Sequence, residues 1–231
     1  MIDLHSHVLP GIDDGSRNVE ESLAMLKRLR EQGVQCLAAT PHFYANEQAL
    51  DRFLEKRERA FLSLQSELTE EHPQIVCGAE VKFYTGIGRM EGLEKLTIGS
   101  SKLLLLEMPF SKWTEYTMRE LLELASSRNL TFVLAHIDRY MKYQNRATWE
   151  KLLDHGFLMQ VNADYVYEFK TKSKAAKLFA SGRAHFLGSD CHNLTDRAPR
   201  IGEAYDVLRK KLGSDFIGQM TDFGHSMIGR R

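Results

Sequence analysis

The 231-residue sequence is poor in cysteine and proline, with three and five respectively. Cys36, Cys77 and Cys191 are odd in number and far apart, which argues against a disulfide framework and for a reducing compartment, the cytoplasm. No window approaches the roughly 18 apolar residues of a membrane span, so no insertion into a membrane is expected. The opening MIDLHSH lacks the basic and apolar segments of a secretory signal. Net charge is also missing: 31 Lys and Arg balance 31 Asp and Glu. A protein that coats nucleic acid usually carries a basic excess, so no nucleic-acid partner is expected. No linker, low-complexity tract or short repeat interrupts the chain, and a single domain over 1–231 is expected.

What recurs instead is an alternation of short apolar runs with longer amphipathic segments. The runs are Met1–His5, Val34–Thr40, Ile75–Glu80, Lys102–Glu107, Thr131–His136, Phe157–Val161 and Ala184–Ser189. Several, such as Leu103–Leu106, are apolar on both faces, as strands of a covered parallel sheet are. Between them, Val19, Leu23, Leu26 and Leu29 form a helical stripe that Asn18 caps and Gly33 stops. Asn46–Glu71, Thr114–Asn129, Thr148–His155, Lys172–Ser181 and Ile201–Leu212 read as further helices. This order predicts an α/β fold, and a closed or distorted barrel rather than an open doubly wound sheet, since no Gly-rich phosphate loop follows the first run.

The carboxyl ends of these runs carry the chemistry. The first ends in His5-Ser6-His7, the second in Thr40-Pro41-His42, and the third in Gly78-Ala79-Glu80. The fourth ends in Glu107, the fifth in His136, and the seventh in Asp190-Cys191-His192, while Asp13 and Asp14 follow the first. In a parallel barrel those ends share one rim, where active sites sit. Imidazoles and carboxylates gathered there need compensating cations, and metal ions bind these ligands well. His72, His155, His185 and His225 lack this context and are expected to be structural.

The segments MIDLHSHVLPGIDDG, ATPHF, GAEV, AHIDRY and GSDCHN resemble the PHP (polymerase and histidinol phosphatase) domain, over essentially the whole chain. They are most similar to the manganese-dependent tyrosine phosphatases of Gram-positive capsule and exopolysaccharide loci. The resemblance implies a TIM-barrel-like, distorted (β/α)7 barrel holding up to three metal ions, manganese above all, with iron or zinc as alternatives. It implies one ion on His5, His7, Glu80 and Asp190, a second on Glu80, Glu107 and His136, and a third on Asp14, His42 and His192. Asp13 would be a neighbour orienting Asp14, or a solvated loop acid. Arg139 and Arg197, near these ligands, would grip phosphate, whose oxygens match the guanidinium fork. The implied reaction is hydrolysis of a phosphomonoester by a metal-held hydroxide. The implied substrate is phosphotyrosine on the tail of a bacterial tyrosine kinase that controls polysaccharide assembly.

Rival readings are a histidinol-phosphate phosphatase, an exonuclease-type domain, and a regulatory metal-binding protein without catalysis. Phe43, Tyr44, Phe110, Trp113 and Tyr140 would form an aromatic rim suited to a phenyl ring, or else cover the core. Cys191 to Arg197 matches the C-x5-R spacing of cysteine-dependent phosphatases, but the stretch has no glycine and carries Asp196. A phosphate cradle needs glycines, so the match is read as accidental. The segment Phe223–Ile228 departs from the resembled family, which usually bears a proline there, and the terminal Gly229-Arg230-Arg231 is expected to be disordered.

Overall fold

The computed structural model describes residues 1–228; Gly229–Arg231, and the expectation attached to them, lie outside the described residues. In chain order the first half comprises β1 (Ile2–Ser6), α1 (Val19–Glu31), β2 (Cys36–Ala39), β3 (His42–Phe43), α2 (Leu50–Gln65), β4 (Gln74–Cys77), β5 (Glu80–Lys82) and β6 (Leu103–Glu107). The second half comprises α3 (Glu115–Ser127), β7 (Thr131–Leu134), α4 (Arg146–Asp154), β8 (Leu158–Asn162), α5 (Ala163–Tyr167), α6 (Lys172–Ala180), β9 (Phe186–Gly188), α7 (Ile201–Leu212) and α8 (Ser214–Met227).

Every strand pairing is parallel. One run of hydrogen-bonded neighbours is β1-β2-β4 and the other is β3-β5-β6-β7-β8-β9. An isolated parallel bridge between Ser6 and Cys191 brings the residues beyond β9 against the end of β1. The sheet therefore curls on itself in the manner of a TIM-like barrel, and its carboxyl ends converge.

The expected Ile75–Glu80 run is broken in two, and the expected Val34–Thr40 run is followed by a further short strand. Pro41 has no N–H for the ladder, which separates β2 from β3. Gly78 separates β4 from β5 where a side chain would collide with Ile98, 2.9 Å from the position a Cβ would take. Each break leads into a residue of the rim, His42 in β3 and Glu80 in β5.

Two apolar clusters build the core. The larger lies between the outward faces of the strands and the helices. Leu104 and Leu106 belong to it, while Leu103 and Leu105 belong to the smaller cluster with Leu4, Val133 and Phe186. That period-two split accounts for the unbroken leucine run of β6, each leucine contributing about 1.5–3 kcal/mol on burial. Helix α1 starts where expected: the Asn18 side chain accepts from the Glu21 N–H at 2.9 Å, a cap worth about 1 kcal/mol. It ends at Glu31, and Gly33 follows in the left-handed region at φ +91°.

The Asn46–Glu71 helix is shorter than expected, covering Leu50–Gln65, and α5 and α8 were not anticipated. Helix α8 and its C-cap Ile228 carry the Phe223–Ile228 segment and pack against β1. A Cβ on Gly224 would come within 2.9 Å of Ile2, and the Phe223 ring stacks on Phe186 at 5.4 Å. A small residue here lets the helix approach the strand. Among the described residues no helix is long and apolar enough to cross a membrane.

Candidate metal centre

The nine residues expected as metal ligands, drawn from six of the strands and the loops that follow them, are brought together at the carboxyl ends. The register of β1 against β2 slips between Asp3 and Ser6, so His5 sits at an irregularity of the strand. Such breaks re-aim side chains beside functional sites. Gly15 packs where a Cβ would strike His7, which lets the Asp13–Asp14 loop fold over that ring. His136 and Asp190 both have left-handed backbones, at φ 30° and 51°, as the only such non-glycine residues described. That conformation is costly without glycine and turns both side chains off their strand ends.

His5 Nε2 and His7 Nε2 lie 3.1 Å apart. Glu80 Oε2 is 3.3 Å from the first and 3.5 Å from the second, and Asp190 Oδ1 is 3.6 Å from both. His136 Nε2 stands 2.8 Å from Glu80 Oε1 and 3.7 Å from Glu107 Oε1. Asp14 Oδ1 is 3.4 Å from His42 Nε2 and 3.5 Å from His192 Nε2. Ligand atoms of His7, Asp14, His42 and His192 lie within 4.8 Å of one another, as do those of His5, His7 and Asp190, and those of His42, Glu80 and Glu107. His42 thus stands between two groups, 2.9 Å from Glu80 by its Nδ1. All nine residues are buried except half-buried His42 and exposed Asp14.

The donor chemistry fits divalent cations. Gln160 Oε1 accepts the His136 N–H at 2.6 Å, which identifies that end as the oxygen. His5 Nδ1 lies 3.2 Å from the same oxygen, so His5 carries its proton there. His7 Nδ1 donates to Asp13 Oδ2 at 2.7 Å. In the neutral tautomers both Nε2 lone pairs then face each other at 3.1 Å, which is repulsive unless a proton or a cation lies between them. His42 Nδ1, Glu80 Oε2 and His192 Nε2 are buried without a hydrogen-bond partner. Each is a sound ligand atom for a borderline-hard metal.

The electrostatics agree. Burial opposes charge on His7, yet the hydrogen bond to Asp13 and the nearby Glu80 carboxylate push its pKa up to about 10. Burial likewise opposes charge on Glu80, but His5, His136 and His42 hold it well below the carboxylate range. Burial and then the neighbouring His7 and Arg197 push His192 down to about 3, leaving it neutral and fit to ligate. The pocket is one that draws positive charge inward.

Arg139 and Arg197 converge on one carboxylate. Arg139 Nη2 donates to Asp190 Oδ2 at 2.6 Å and Arg197 Nη2 to Asp190 Oδ1 at 2.7 Å. With Asn162 and Asp190 they line a cleft of about 280 Å³. Lys82, not anticipated from the sequence, donates to Glu107 Oε2 at 2.8 Å.

Asp13 is neither a solvated acid nor a partner of Asp14. It is buried under the loop, where it accepts from His7 and from the His42 and Gly15 backbone N–H groups. Gln160 and Asn162 were overlooked because β8 ends without His, Asp or Glu. Gln160 Nε2 donates to Asn162 Oδ1, and Asn162 Nδ2 to Asp190 Oδ2, each at 2.9 Å. Two amides at period-two spacing inside the apolar run Leu158–Asn162 were the available signal.

Of the five rim aromatics, Phe43, Trp113 and Tyr140 are buried in the core. Tyr140 Oη accepts the Met108 N–H, and Trp113 Nε1 donates to the Pro109 carbonyl. Phe110, 44% exposed, stacks on His136 at 5.7 Å, and half-buried Tyr44 stacks on His42 at 5.3 Å. The Cys191 thiol is fully buried and its pKa is driven up by that burial, the opposite of an activated thiolate. His72, His155, His185 and His225 all lie outside the cluster.

The capsular polysaccharide synthesis CpsB/CapC model matches residues 1–223. The chain is 31% identical to tyrosine-protein phosphatase CpsB of Streptococcus pneumoniae over 227 residues, covering 93% of this chain and 92% of that one. It is 27% identical to tyrosine-protein phosphatase YwqE of Bacillus subtilis over 232 residues, covering 96% and 89%. A crystal structure from work on YwqE and CpsB, described as metal-dependent tyrosine phosphatases, superposes with a TM-score of 0.84 at 24% identity, covering 100% of this chain and 96% of that one. A putative histidinol phosphatase from Listeria monocytogenes shares the fold at a TM-score of 0.52 and 14% identity, covering 85% and 97%. The chain belongs to the CpsB/CapC family of capsular polysaccharide synthesis.

Proposed function

We propose that this protein is a metal-dependent protein-tyrosine phosphatase that acts in capsular or exopolysaccharide biosynthesis. The observation that carries the reading is a buried convergence of imidazole nitrogens and carboxylate oxygens with two arginines beside it on Asp190. The names of the relatives support the phosphotyrosine specificity.

Up to three ions, manganese first and iron or zinc as alternatives, would be held by His5, His7, Glu80 and Asp190; by Glu80, Glu107 and His136; and by Asp14, His42 and His192. Bound there, divalent ions supply Lewis acidity toward the phosphoryl group and an activated water. The chain itself orients and neutralises. Asp13 and Gln160 fix the rings of His7 and His5 so that Nε2 faces the centre. Arg139 and Arg197 each spend one Nη2 on Asp190, and their remaining N–H groups serve the non-transferred phosphoryl oxygens. Phe110 and Tyr44 flank the cluster and offer faces to a phenyl ring. No side chain acts as a covalent nucleophile.

The fold reads as a distorted (β/α)7 barrel in one domain over 1–231. Joining β2 to β3 and β4 to β5 leaves seven strand positions, consistent with the observed neighbours. The substrate would be the phosphorylated tail of a bacterial tyrosine kinase, which places the reaction in the cytoplasm with ATP. The test is turnover of a phosphotyrosyl peptide against histidinol phosphate by manganese-loaded protein, with and without chelator. Preference for the peptide, lost in chelator, is expected. Preference for histidinol phosphate overturns the substrate, and full activity in chelator overturns the metal.

A further inference from the structure

A groove of about 1340 Å³ runs between α3 and α4, far larger than the metal-side cleft of about 280 Å³. It exceeds the roughly 300–1,000 Å³ of a usual small-molecule pocket and is of a size for a length of polypeptide. Its lining is cationic in a chain with no net charge. Lys112, Arg119, Lys142 and Lys151 face it, against the carboxylates of Glu115 and Glu123. All four cations are exposed, and among the described residues none is held in an ion pair. Two of them lie over aromatic rings instead: Arg119 over Tyr116 at 5.4 Å and Lys142 over Tyr143 at 4.8 Å.

The groove is continuous with the candidate catalytic centre. Lys142 and Tyr143 line both the groove and a neighbouring pocket of about 370 Å³, whose other walls are Phe110, Asp138 and Arg139. Phe110 stacks on His136 and Arg139 holds Asp190. A chain whose phosphotyrosine entered beside Phe110 and Arg139 would leave along Lys142 and Tyr143 and enter the α3–α4 groove.

We propose that the α3–α4 groove is a docking channel for an acidic segment flanking the phosphotyrosine of the substrate protein. This rests on the phosphatase reading and adds how a protein substrate is distinguished from a free aryl phosphate. Carboxylates of the segment meet the four cations, which raises encounter and lowers KM without touching the chemical step. Because the pairs are solvent-exposed, the preference is moderate and screened by salt.

The experiment compares three phosphotyrosyl peptides, with flanks of glutamate, of neutral residues, or carrying a second phosphotyrosine, alongside para-nitrophenyl phosphate. Manganese-loaded wild type is set beside the double variant Arg119→Glu and Lys151→Glu, neither of which touches the metal centre. At low salt the glutamate-flanked peptide should exceed the neutral one by about tenfold in kcat/KM, through KM, and the gap should close at high salt. The double variant should lose that preference while turning over para-nitrophenyl phosphate at the wild-type rate. Equal kcat/KM for acidic and neutral flanks, or a preference that survives the double variant, overturns the docking proposal. A gain with the second phosphotyrosine but not with glutamate overturns the commitment to carboxylates. No turnover of para-nitrophenyl phosphate by the wild type would instead sink the underlying phosphatase reading.

Discussion

Asp13 holds the imidazole of His7: Nδ1 donates to Oδ2 at 2.7 Å, and the ring is thereby fixed with Nε2 toward Glu80 and Asp190. Removing a carboxylate that orients a ligating histidine typically costs about 10–100-fold in metal affinity. Asp13→Ala should therefore lose metal to a competing chelator at a concentration lower by about that factor, and recover much of its rate at saturating manganese. Asp13→Asn keeps an acceptor without the charge and should fall between. Unchanged metal retention in folded Asp13→Ala would show that the bond is incidental.

Arg139 and Arg197 grip opposite oxygens of Asp190, and Asn162 adds a third bond. Arg139→Ala should keep the fold and the metal, since Asp190 retains Arg197 and Asn162. Catalysis should fall by about 30- to 1000-fold, the equivalent of about 2–4 kcal/mol for one lost donor to developing charge. Lysine should rescue only in part, because it lacks the fork. His136→Ala should instead lose metal and activity together. Metal analysis beside steady-state rates on an aryl phosphate separates the two; normal turnover in Arg139→Ala would remove it from the phosphate clamp.

Cys191 is buried beneath the centre with its thiol pKa raised. Cys191→Ser should retain most activity per metallated protein, with stability lowered by about 1–3 kcal/mol from the buried hydroxyl. A folded, metallated variant without turnover, or a trapped phosphocysteine in wild type, would restore the thiolate mechanism.

His185 reports on the fold rather than on the reaction. Its Nδ1 accepts the Met159 N–H at 3.0 Å, and burial pushes its pKa below the usual 6.5. Below pH 6.5 the unfolded chain binds a proton that the native one resists, so this contribution to stability is present above 6.5 and is lost as pH falls through it. In urea unfolding at fixed metal, wild type should weaken from pH 7.5 to 5.5 more steeply than His185→Gln, by up to about one proton. Parallel curves would contradict the burial effect.

The strand-helix alternation, the capped start of α1 and the ligand types at the strand ends were all legible in the one-dimensional pattern. Periodicity and residue chemistry are local properties, and a strand that is apolar on both faces with a histidine at its end carries that information within a few residues. Partnership is not local. His5 meets Gln160 across 155 positions and Arg139 meets Asp190 across 51, and only the curl of the sheet brings those pairs together. The local fold of the loop over Gly15 turned Asp13 toward His7 rather than Asp14. The closure of the sheet placed Gln160 and Asn162 beside the centre, although neither is an imidazole or a carboxylate. It also buried Phe43, Trp113 and Tyr140 while leaving Phe110 at the rim. Which groups could do the chemistry followed from the sequence. Which of them face one another, and which aromatic ring stays in water, followed from packing, because each side chain's surroundings are supplied by segments remote along the chain.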